Sequence, residues 1–454
     1  MEQTKKHSFP MGFYVCSLSF TFERLAYYAA KWGIAIFMVV SAAKGGLGLS
    51  QSQGALFSSF LVAFTYITPV IGGFIADHWL SPRKLVPLGE ILMAIGYFCA
   101  WKATGKGMLI IMIIVIAIGT GFFKGNVSGI QGRQFPAADA EFLDTVFSWQ
   151  YSFVNIGSFC GTTFLTLVAT QTKMGYRGMF FVCGIFLLID CAWWLIGQKS
   201  LGDAGLKPFL VDNRTEDAEK ADVAEEKAPL TAVEKNRVTA IILVTILSGI
   251  FWLVWYMAYL PVYYKFGPTS QGGLAWANWN IGSFTMPTSW FDSANGLLCI
   301  ILCPIFAKIW STLDKKGKDW SFLTKTGFGI FVLGICVAVL ALGGIMSKEG
   351  KGQVGVWVIF LSALFMTLGE VVFSPLGNSF ISKYAPKSLL GTLLGVWPLI
   401  IFFSGLIYGP LYNFMDKFDF IKAYGLLAVI ILVIGVLLMP FGKKFNKWIH
   451  ADEL

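Results

Sequence analysis

Residues 108–123 have the sequence MLIIMIIVIAIGTGFF, an apolar run that no charged residue interrupts. Runs of around 20 mainly apolar residues recur along the 454-residue chain, and each can cross the ~30 Å hydrocarbon core of a bilayer. The composition agrees, because only 13% of the residues are charged, against roughly 25% in a soluble domain. The sequence therefore predicts an all-α, polytopic membrane protein.

Glycine, proline and charged residues divide the apolar runs into twelve predicted spans. Lys5 and Lys6 precede the first run without a small-residue cleavage site, so we expect this span to be retained. With the N-terminus inside, the inside segments hold more than twice as many lysines and arginines as the outside loops. This bias predicts a multi-pass protein of the inner (plasma) membrane with both termini in the cytoplasm. The predicted spans are 11–41, 53–76, 86–102, 108–131, 144–170, 177–197, 237–264, 290–311, 322–345, 354–382, 389–414 and 422–441.

The longest polar segment, residues 198–236, divides the chain into six spans on each side. It predicts a cytoplasmic linker between an N-terminal bundle, 1–197, and a C-terminal bundle, 237–454. The loop 265–289 contains two tryptophans and predicts an outer-face hairpin, as a lid or an interface anchor. Two six-span halves, with Gly72–Asp77 and the basic pair Arg83-Lys84 after span two, are typical of the major facilitator fold.

The composition also excludes several partners. The net charge of +9 suits membrane loops better than nucleic acid, because no polar domain carries it. The three histidines are scattered and the eight cysteines lie in apolar stretches without CxxC spacing. We expect no metal, no cofactor and no nucleic acid, and a monomer whose surroundings are the lipid bilayer.

Ionisable side chains inside a membrane are costly and therefore indicate function. Glu90 and Asp190 lie nearer lipid-facing or terminal stretches, and we expect a structural or interfacial role for both. The candidates for function are Glu23, Arg24, Lys124, Asp292 and Glu370.

Tyr27 and Tyr28 follow Arg24 at helical spacing, so the guanidinium and the phenols share one face of span one. Lys31 continues this face one turn further. Such a face is suited to binding a carboxylate. The alternative is a network of Glu23, Arg24 and tyrosines that only holds helices together.

Lys124 lies in span four among small residues, Gly119 to Ser128, which permit close helix approach. Glu370 precedes Ser374-Pro375-Leu376-Gly377, where proline and glycine interrupt span ten as in transporter binding regions. Lys124 and Glu370 could compensate each other across the halves while the cavity is empty. The residues alone predict a small zwitterionic or anionic metabolite, and do not distinguish a peptide from an amino acid.

Seven motifs in the right order resemble those of the proton-dependent oligopeptide transporters over essentially the whole chain. The motifs are Phe20-Thr-Phe-Glu23-Arg24-Leu25-Ala-Tyr27-Tyr28, Tyr66-Ile-Thr-Pro69, Gly119 to Ser128, Gln150 to Ser158, Ser289-Trp290-Phe291 with Asn295, Glu370 with Ser374-Pro375-Leu376-Gly377, and Gly395-Val-Trp397.

The resemblance implies uptake of di- and tripeptides with protons, and assigns roles to individual residues. It implies that Asn155 and Asn295 help Glu370 to hold the amino end of the peptide. The side-chain pockets would be lined by Tyr66, Trp252 and Trp397. The carboxylate end would bind Arg24, Tyr27, Tyr28 and Lys124.

Three departures from the family pattern concern coupling and gating. Phe20 replaces the first glutamate of the opening motif, a position tied in the family to protons. Tyr256 stands where the family has an acid that pairs with the base at Lys31 and closes the outer gate. Asp292 stands where glutamine is frequent and could be a relocated acid. The remaining proton carriers are then Glu23, Glu370 and Asp292, with Lys31 and Lys124 in gating.

The leading hypothesis is a secondary active transporter that imports short peptides by alternating access. The first alternative is a carrier of the same fold for an amino acid derivative or a nitrate-like anion, although a carrier of anions has little use for Glu370. The second is a peptide facilitator with weak or no proton coupling. A membrane enzyme or receptor lacks support, because no HExxH, GxSxG or Walker motif is present.

Overall fold

The structure is a computed structural model that describes residues 9–135, 140–212, 229–318, 320–386 and 389–451. Residues 213–228 of the predicted linker lie outside this part of the chain. The helices are α1 (Met11–Val39), α2 (Gln51–His78), α3 (Pro82–Lys102), α4 (Lys106–Gly132), α5 (Ala140–Cys160), α6 (Thr166–Gln171), α7 (Gly175–Gly197), α8 (Phe209–Asp212), α9 (Ala232–Pro261), α10 (Trp290–Lys315), α11 (Phe322–Met346), α12 (Trp357–Phe373), α13 (Gly377–Tyr384), α14 (Leu390–Met415), α15 (Phe420–Leu438) and α16 (Gly442–Trp448).

Eleven helical segments within the described residues are long and apolar enough to cross a membrane. Helix α1 is a further candidate, since its 29 residues exceed the length needed. It carries Glu23, Arg24 and Lys31, which lower its apolar character. Hydrogen bonding within each helix satisfies the backbone, as a lipid environment demands. The prediction of an all-α membrane fold is confirmed.

Irregular turns interrupt several of the spans, and two of them lie near residues of interest. A π-helical turn, Gly161–Leu165, joins α5 to α6. A 3₁₀ turn, Ser374–Leu376, separates α12 from α13. Proline at the start of this turn lacks the N–H that a continuous α-helix requires. The predicted interruption of span ten is therefore confirmed, four residues after Glu370.

Side-chain caps fix the starts of three helices in the second half of the chain. Thr231 and Glu234 form a reciprocal capping box at α9. Ser321 accepts a hydrogen bond from the main chain of α11, and Asp419 does the same for α15. Such caps satisfy amide groups that have no partner inside the helix.

The loop before α10 contains three two-residue strands, and a fourth lies between α11 and α12. Strands β2 (Asn280–Ile281) and β3 (Phe284–Thr285) form the expected hairpin, and β1 (Ala277–Asn278) pairs in parallel with β4 (Val354–Gly355). Trp279 is buried, and its indole N–H donates to the carbonyl of Phe266 at 2.9 Å. The tryptophans pack inside the protein, so the interpretation of this loop as an interface anchor is wrong.

Contacts divide the described residues into two units. The first unit comprises the described parts of 1–30 and 67–214, and the second those of 31–66 and 215–454. In the first unit, α3 and α4 meet through glycines: a Cβ on Gly89 would lie 2.6 Å from the carbonyl oxygen of Gly119. The predicted close approach of span four is confirmed.

The second unit uses the same device and also includes a segment from the start of the chain. Gly329 of α11 and Gly369 of α12 meet so closely that a Cβ on either would clash with the carbonyl oxygen of the other. Residues 31–66 pack against α9 and α14. Asn413 donates to the carbonyl of Ser52 at 3.0 Å, and Gly405 of α14 lies against Ala63 of α2.

Candidate functional site

In the first unit, Arg24 and Glu23 form a bidentate ion pair on α1. The Nε and Nη2 groups of Arg24 donate to the two carboxylate oxygens of Glu23, the second at 3.0 Å. Both residues are buried. A paired guanidinium and carboxylate offset the desolvation that either charge alone would suffer.

The two tyrosines of the opening motif surround this pair as their spacing predicts. The Arg24 guanidinium carbon lies 4.9 Å from the ring centre of Tyr27 and 6.0 Å from that of Tyr28. Lys124 of α4 lies close enough to interact electrostatically with both Glu23 and Arg24. These residues concentrate two cations and one acid, an arrangement that can accept a further carboxylate.

Phe20 and Phe123 pack edge to face beside this cluster. Their ring centres lie 5.4 Å apart, and both side chains are buried. At the position where the related family carries a glutamate, this chain therefore has an aromatic contact between α1 and α4.

Helix α5 approaches α1 at the arginine through Gly157. A Cβ on this glycine would lie 3.0 Å from the Cβ of Arg24. Asn155, two residues before, donates to the carbonyl of Tyr151 on its own helix at 2.8 Å. Gly157, inside the motif Gln150 to Ser158, therefore has a structural role, because it lets α5 come close to Arg24.

In the second unit, Lys31 is enclosed by aromatic rings. Its Nζ lies 4.8 Å from the ring centre of Trp32, 5.1 Å from Trp255, 5.2 Å from Tyr256 and 5.7 Å from Tyr259. Lys31 is only 4% exposed. The negative faces of aromatic rings attract a cation, most strongly where water is excluded. We refer to these four rings as the aromatic cage.

Asp292 is joined to the aromatic cage by a hydrogen bond. The Tyr259 hydroxyl donates to Asp292 Oδ1 at 2.6 Å. Asp292 is buried and lies within electrostatic range of Lys31. The relocated acid that the sequence suggested is therefore near the base, while Tyr256 contributes a ring to the cage.

Glu370 is held by two donors. Asn295 Nδ2 donates to Glu370 Oε2 at 3.0 Å, and the indole N–H of Trp255 donates to the same oxygen at 3.2 Å. Asn295 also donates to Thr367 at 3.0 Å, which fixes the orientation of its amide. Trp255 thus contacts both the carboxylate of Glu370 and the ammonium group of Lys31.

The aromatic residues predicted to line side-chain pockets have different surroundings. Trp252 lies 5.4 Å from Trp255, between ring centres, and so borders the Glu370 cluster. Trp397 packs over Gly377 after the break and lies 6.3 Å from Phe322. Tyr66 is half-buried on α2.

The sequence reasoning missed Trp32, Trp255 and Tyr259. Their signal was available in part, because Trp252, Trp255, Tyr256 and Tyr259 recur at helical spacing along span seven. Aromatic residues at this spacing are common in any helix core, so the pattern alone did not indicate a cation site.

A lipid-facing position for Glu90 and Asp190 is wrong. Both side chains are 0% exposed and lie inside the first unit, on α3 and α7. The sequence shows which residues are charged, but not which face of each helix turns toward its neighbours.

The family of the chain follows from a match to a family model. The model described as "Major Facilitator Superfamily" matches residues 24–410, so the chain belongs to the major facilitator superfamily. The relatives of this chain are transporters and not enzymes. The dipeptide and tripeptide permease B of Yersinia enterocolitica is 24% identical over 496 residues, which cover 98% of this chain and 97% of the relative. The permease of the same name from Shigella dysenteriae is 26% identical and covers 96% of each chain.

Solved structures give the same fold. A POT family transporter in complex with 5-aminolevulinic acid aligns with a TM-score of 0.85 and 24% identity, covering 98% of both chains. A peptide transporter POT in complex with sulfate aligns with a TM-score of 0.84 and 22% identity, covering 98% of this chain and 97% of the other. The major facilitator fold predicted from the sequence is confirmed.

Proposed function

We propose that the chain is a secondary active transporter that imports di- and tripeptides together with protons. It acts as a monomer in the inner membrane, with both termini in the cytoplasm. The names of the relatives and the charge bias of the loops support this proposal.

The observation that carries the proposal is the environment of Glu370. A carboxylate within a membrane span is costly unless it is used. Asn295 and Trp255 hold one carboxylate oxygen, which leaves acceptor capacity for an ammonium group. A carrier for simple anions needs no such acid. We assign the peptide's amino group to Glu370, with Asn295 and Asn155.

The carboxylate of the peptide binds Arg24 and Lys124, flanked by Tyr27 and Tyr28. A guanidinium between phenol rings can bind a carboxylate through charge-assisted hydrogen bonds. The solved relative with 5-aminolevulinic acid supports recognition of a molecule that has an amino group at one end and a carboxylate at the other. Tyr66, Trp252 and Trp397 line the side-chain pockets.

Alternating access requires a closed end, and the packing of residues 31–66 supports one. Trp32 stacks on Tyr259 with 4.4 Å between ring centres, and Gln51 donates to the carbonyl of Tyr264 at 3.2 Å. We infer that these contacts belong to the closed gate, with Lys31 at its centre. Proton coupling depends on Glu370 and is assisted by Asp292.

A facilitator is the second candidate. The packing of Phe20 against Phe123 favours it, because an apolar contact occupies a position that the related family uses for protons. The two candidates differ in one measurable property. A symporter accumulates peptide against a gradient when a proton gradient is imposed, and a facilitator only exchanges it.

The test is uptake of labelled dialanine into proteoliposomes, with and without an imposed proton gradient. We expect unlabelled tripeptide to compete, and nitrate or single amino acids not to compete. Exchange without proton-driven accumulation would identify a facilitator. No dialanine uptake or exchange would contradict peptide transport.

A further inference from the structure

Two carboxyl groups in the first unit have no role in the proposed transport. Glu90 on α3 and Asp190 on α7 are completely buried. The two helices pack side by side, and their carboxyl groups face each other across this contact. Two acids at the centre of an apolar bundle require compensation of their charge.

The described residues provide no such compensation. None of the four carboxyl oxygens accepts a hydrogen bond from the described part of the chain. Among the described residues, neither Glu90 nor Asp190 forms an ion pair with a lysine or arginine. If both acids were ionised, they would therefore be buried acceptors with only the Ser19 hydroxyl close to Asp190.

A proton resolves this conflict. Two ionised carboxylates cannot bond to each other, because each only accepts, whereas a protonated carboxyl group has one O–H donor. Two carboxylates in contact also repel, so one of them holds a proton. A metal ion fits less well, since the described residues contain no group of three or more acidic, histidine or cysteine side chains able to bind one.

The groups that face the pair connect it with the arginine site. Ser19 of α1 lies beside Asp190. Glu23, one turn further along α1, interacts electrostatically with both acids, and Cys191 flanks them on α7. Lys124 of α4 interacts with Glu23 and Arg24. Glu23 therefore interacts electrostatically both with Glu90 and Asp190 and with the cations Arg24 and Lys124.

We propose that Glu90 and Asp190 form a proton-binding site that shares one proton between their carboxyl groups. The proton comes from water and returns to it, and no other bond changes. The link to substrate rests on the proposed function: a peptide carboxylate that reaches Arg24 adds negative charge near Glu23 and strengthens retention of the proton.

Infrared spectroscopy of the purified full-length chain tests the site, because a protonated carboxyl group has its own C=O band. We expect a band in the unmodified protein that persists at a pH where exposed acids are ionised. It should be lost in Glu90→Gln and in Asp190→Asn, where the new amide can donate to the remaining carboxylate. The matched controls, Glu349→Gln and Asp419→Asn at exposed positions, should keep it.

Three results would overturn the site: no such band at any pH where the protein is folded, an unchanged band in both variants, or loss of the band on replacing choline chloride with sodium chloride. The last result would indicate a sodium site. Two amide variants are used because one of them could have a folding defect, and the other would then still test the site. Thermal unfolding shows whether each variant is folded.

The link to substrate is measured by adding dialanine. We expect the band of the unmodified protein to persist to higher pH with dialanine, and no such shift in Arg24→Ala. An unshifted band would overturn the link. Dialanine counterflow is measured in parallel. A band without counterflow would support the proton-binding site and contradict peptide transport. Counterflow without a band would support peptide transport and contradict the proton-binding site.

Discussion

Arg24 and Lys31 lie two turns apart on α1, and their buried charges are compensated in different ways. Arg24 is bound directly by the carboxylate of Glu23. Lys31 lies among four aromatic rings, and Asp292 is attached to those rings through Tyr259. A direct ion pair offsets both buried charges through one contact. An aromatic cage stabilises the cation through uncharged rings, and we propose that this leaves the nearby acids able to bind and release protons.

In the proposed function Arg24 binds the substrate carboxylate, so removing it has the largest expected effect. Arg24→Ala or Lys124→Ala should abolish dialanine uptake. Loss of one partner of a buried charge pair costs about 2–5 kcal/mol, which is roughly 30-fold or more in affinity. Lys351→Ala, in an exposed loop, is the matched control and should transport normally.

The measurement is uptake in proteoliposomes that contain equal amounts of each variant, together with thermal unfolding. Because the assignment concerns the carboxylate end, the amide of dialanine should compete poorly in the unmodified protein. Equal competition by the amide and the free acid would show that Arg24 does not bind this group.

Glu370 and Asp292 test whether the acids around the aromatic cage carry protons. Glu370→Gln should abolish proton-driven accumulation, because glutamine still accepts hydrogen bonds from Asn295 and Trp255 but binds no proton. Asp292→Asn should reduce accumulation only in part. Glu349→Gln, an exposed glutamate, serves as the control.

The readout is the ratio of dialanine inside and outside vesicles under an imposed proton gradient. Unchanged accumulation in Glu370→Gln would remove this residue from coupling. If the unmodified protein accumulates no dialanine, the chain is a facilitator. The different compensation of Arg24 and Lys31 would then have no part in proton coupling.

The Tyr259 hydroxyl donates a hydrogen bond to Asp292, and Tyr259→Phe removes it. A hydrogen bond to a charged group contributes about 1.5–3 kcal/mol, so we expect lower stability and reduced accumulation with little change in counterflow. Tyr412→Phe is the control, because the Tyr412 hydroxyl is buried without a hydrogen-bond partner among the described residues. Equal effects of the two variants on accumulation would argue against a role for the Asp292 contact.

The sequence predicted much of each cluster, for reasons that differ. Spacing along one helix placed Tyr27 and Tyr28 beside Arg24, because residues three and four apart share a face. The resemblance to a family placed Asn295 with Glu370. The aromatic cage could not be predicted in this way, since it depends on which face of α9 meets Lys31. Because the rotation of each helix is not visible in the sequence, Glu90 and Asp190 were expected nearer lipid-facing or terminal stretches, whereas both are buried.

The smallest expected effect concerns Phe20, for which we expect a packing role only. If Phe20 takes no part in proton coupling, Phe20→Leu should leave the number of protons carried per peptide unchanged. Its edge-to-face contact with Phe123 is worth about 0.5–1.5 kcal/mol beyond burial, so only the unfolding temperature should fall slightly.

A double-mutant cycle of Phe20→Leu with Phe123→Leu isolates the contact, because the two losses should be less than additive. Phe98→Leu, which disturbs another aromatic contact in the first unit, with Phe181 at 5.8 Å, is the control for general loosening of the bundle. A changed proton-to-peptide ratio in Phe20→Leu alone would mean that this position still acts in coupling without an acid. The proposal that only the acids near Lys31 carry protons, and that the region around Arg24 does not, would then be wrong.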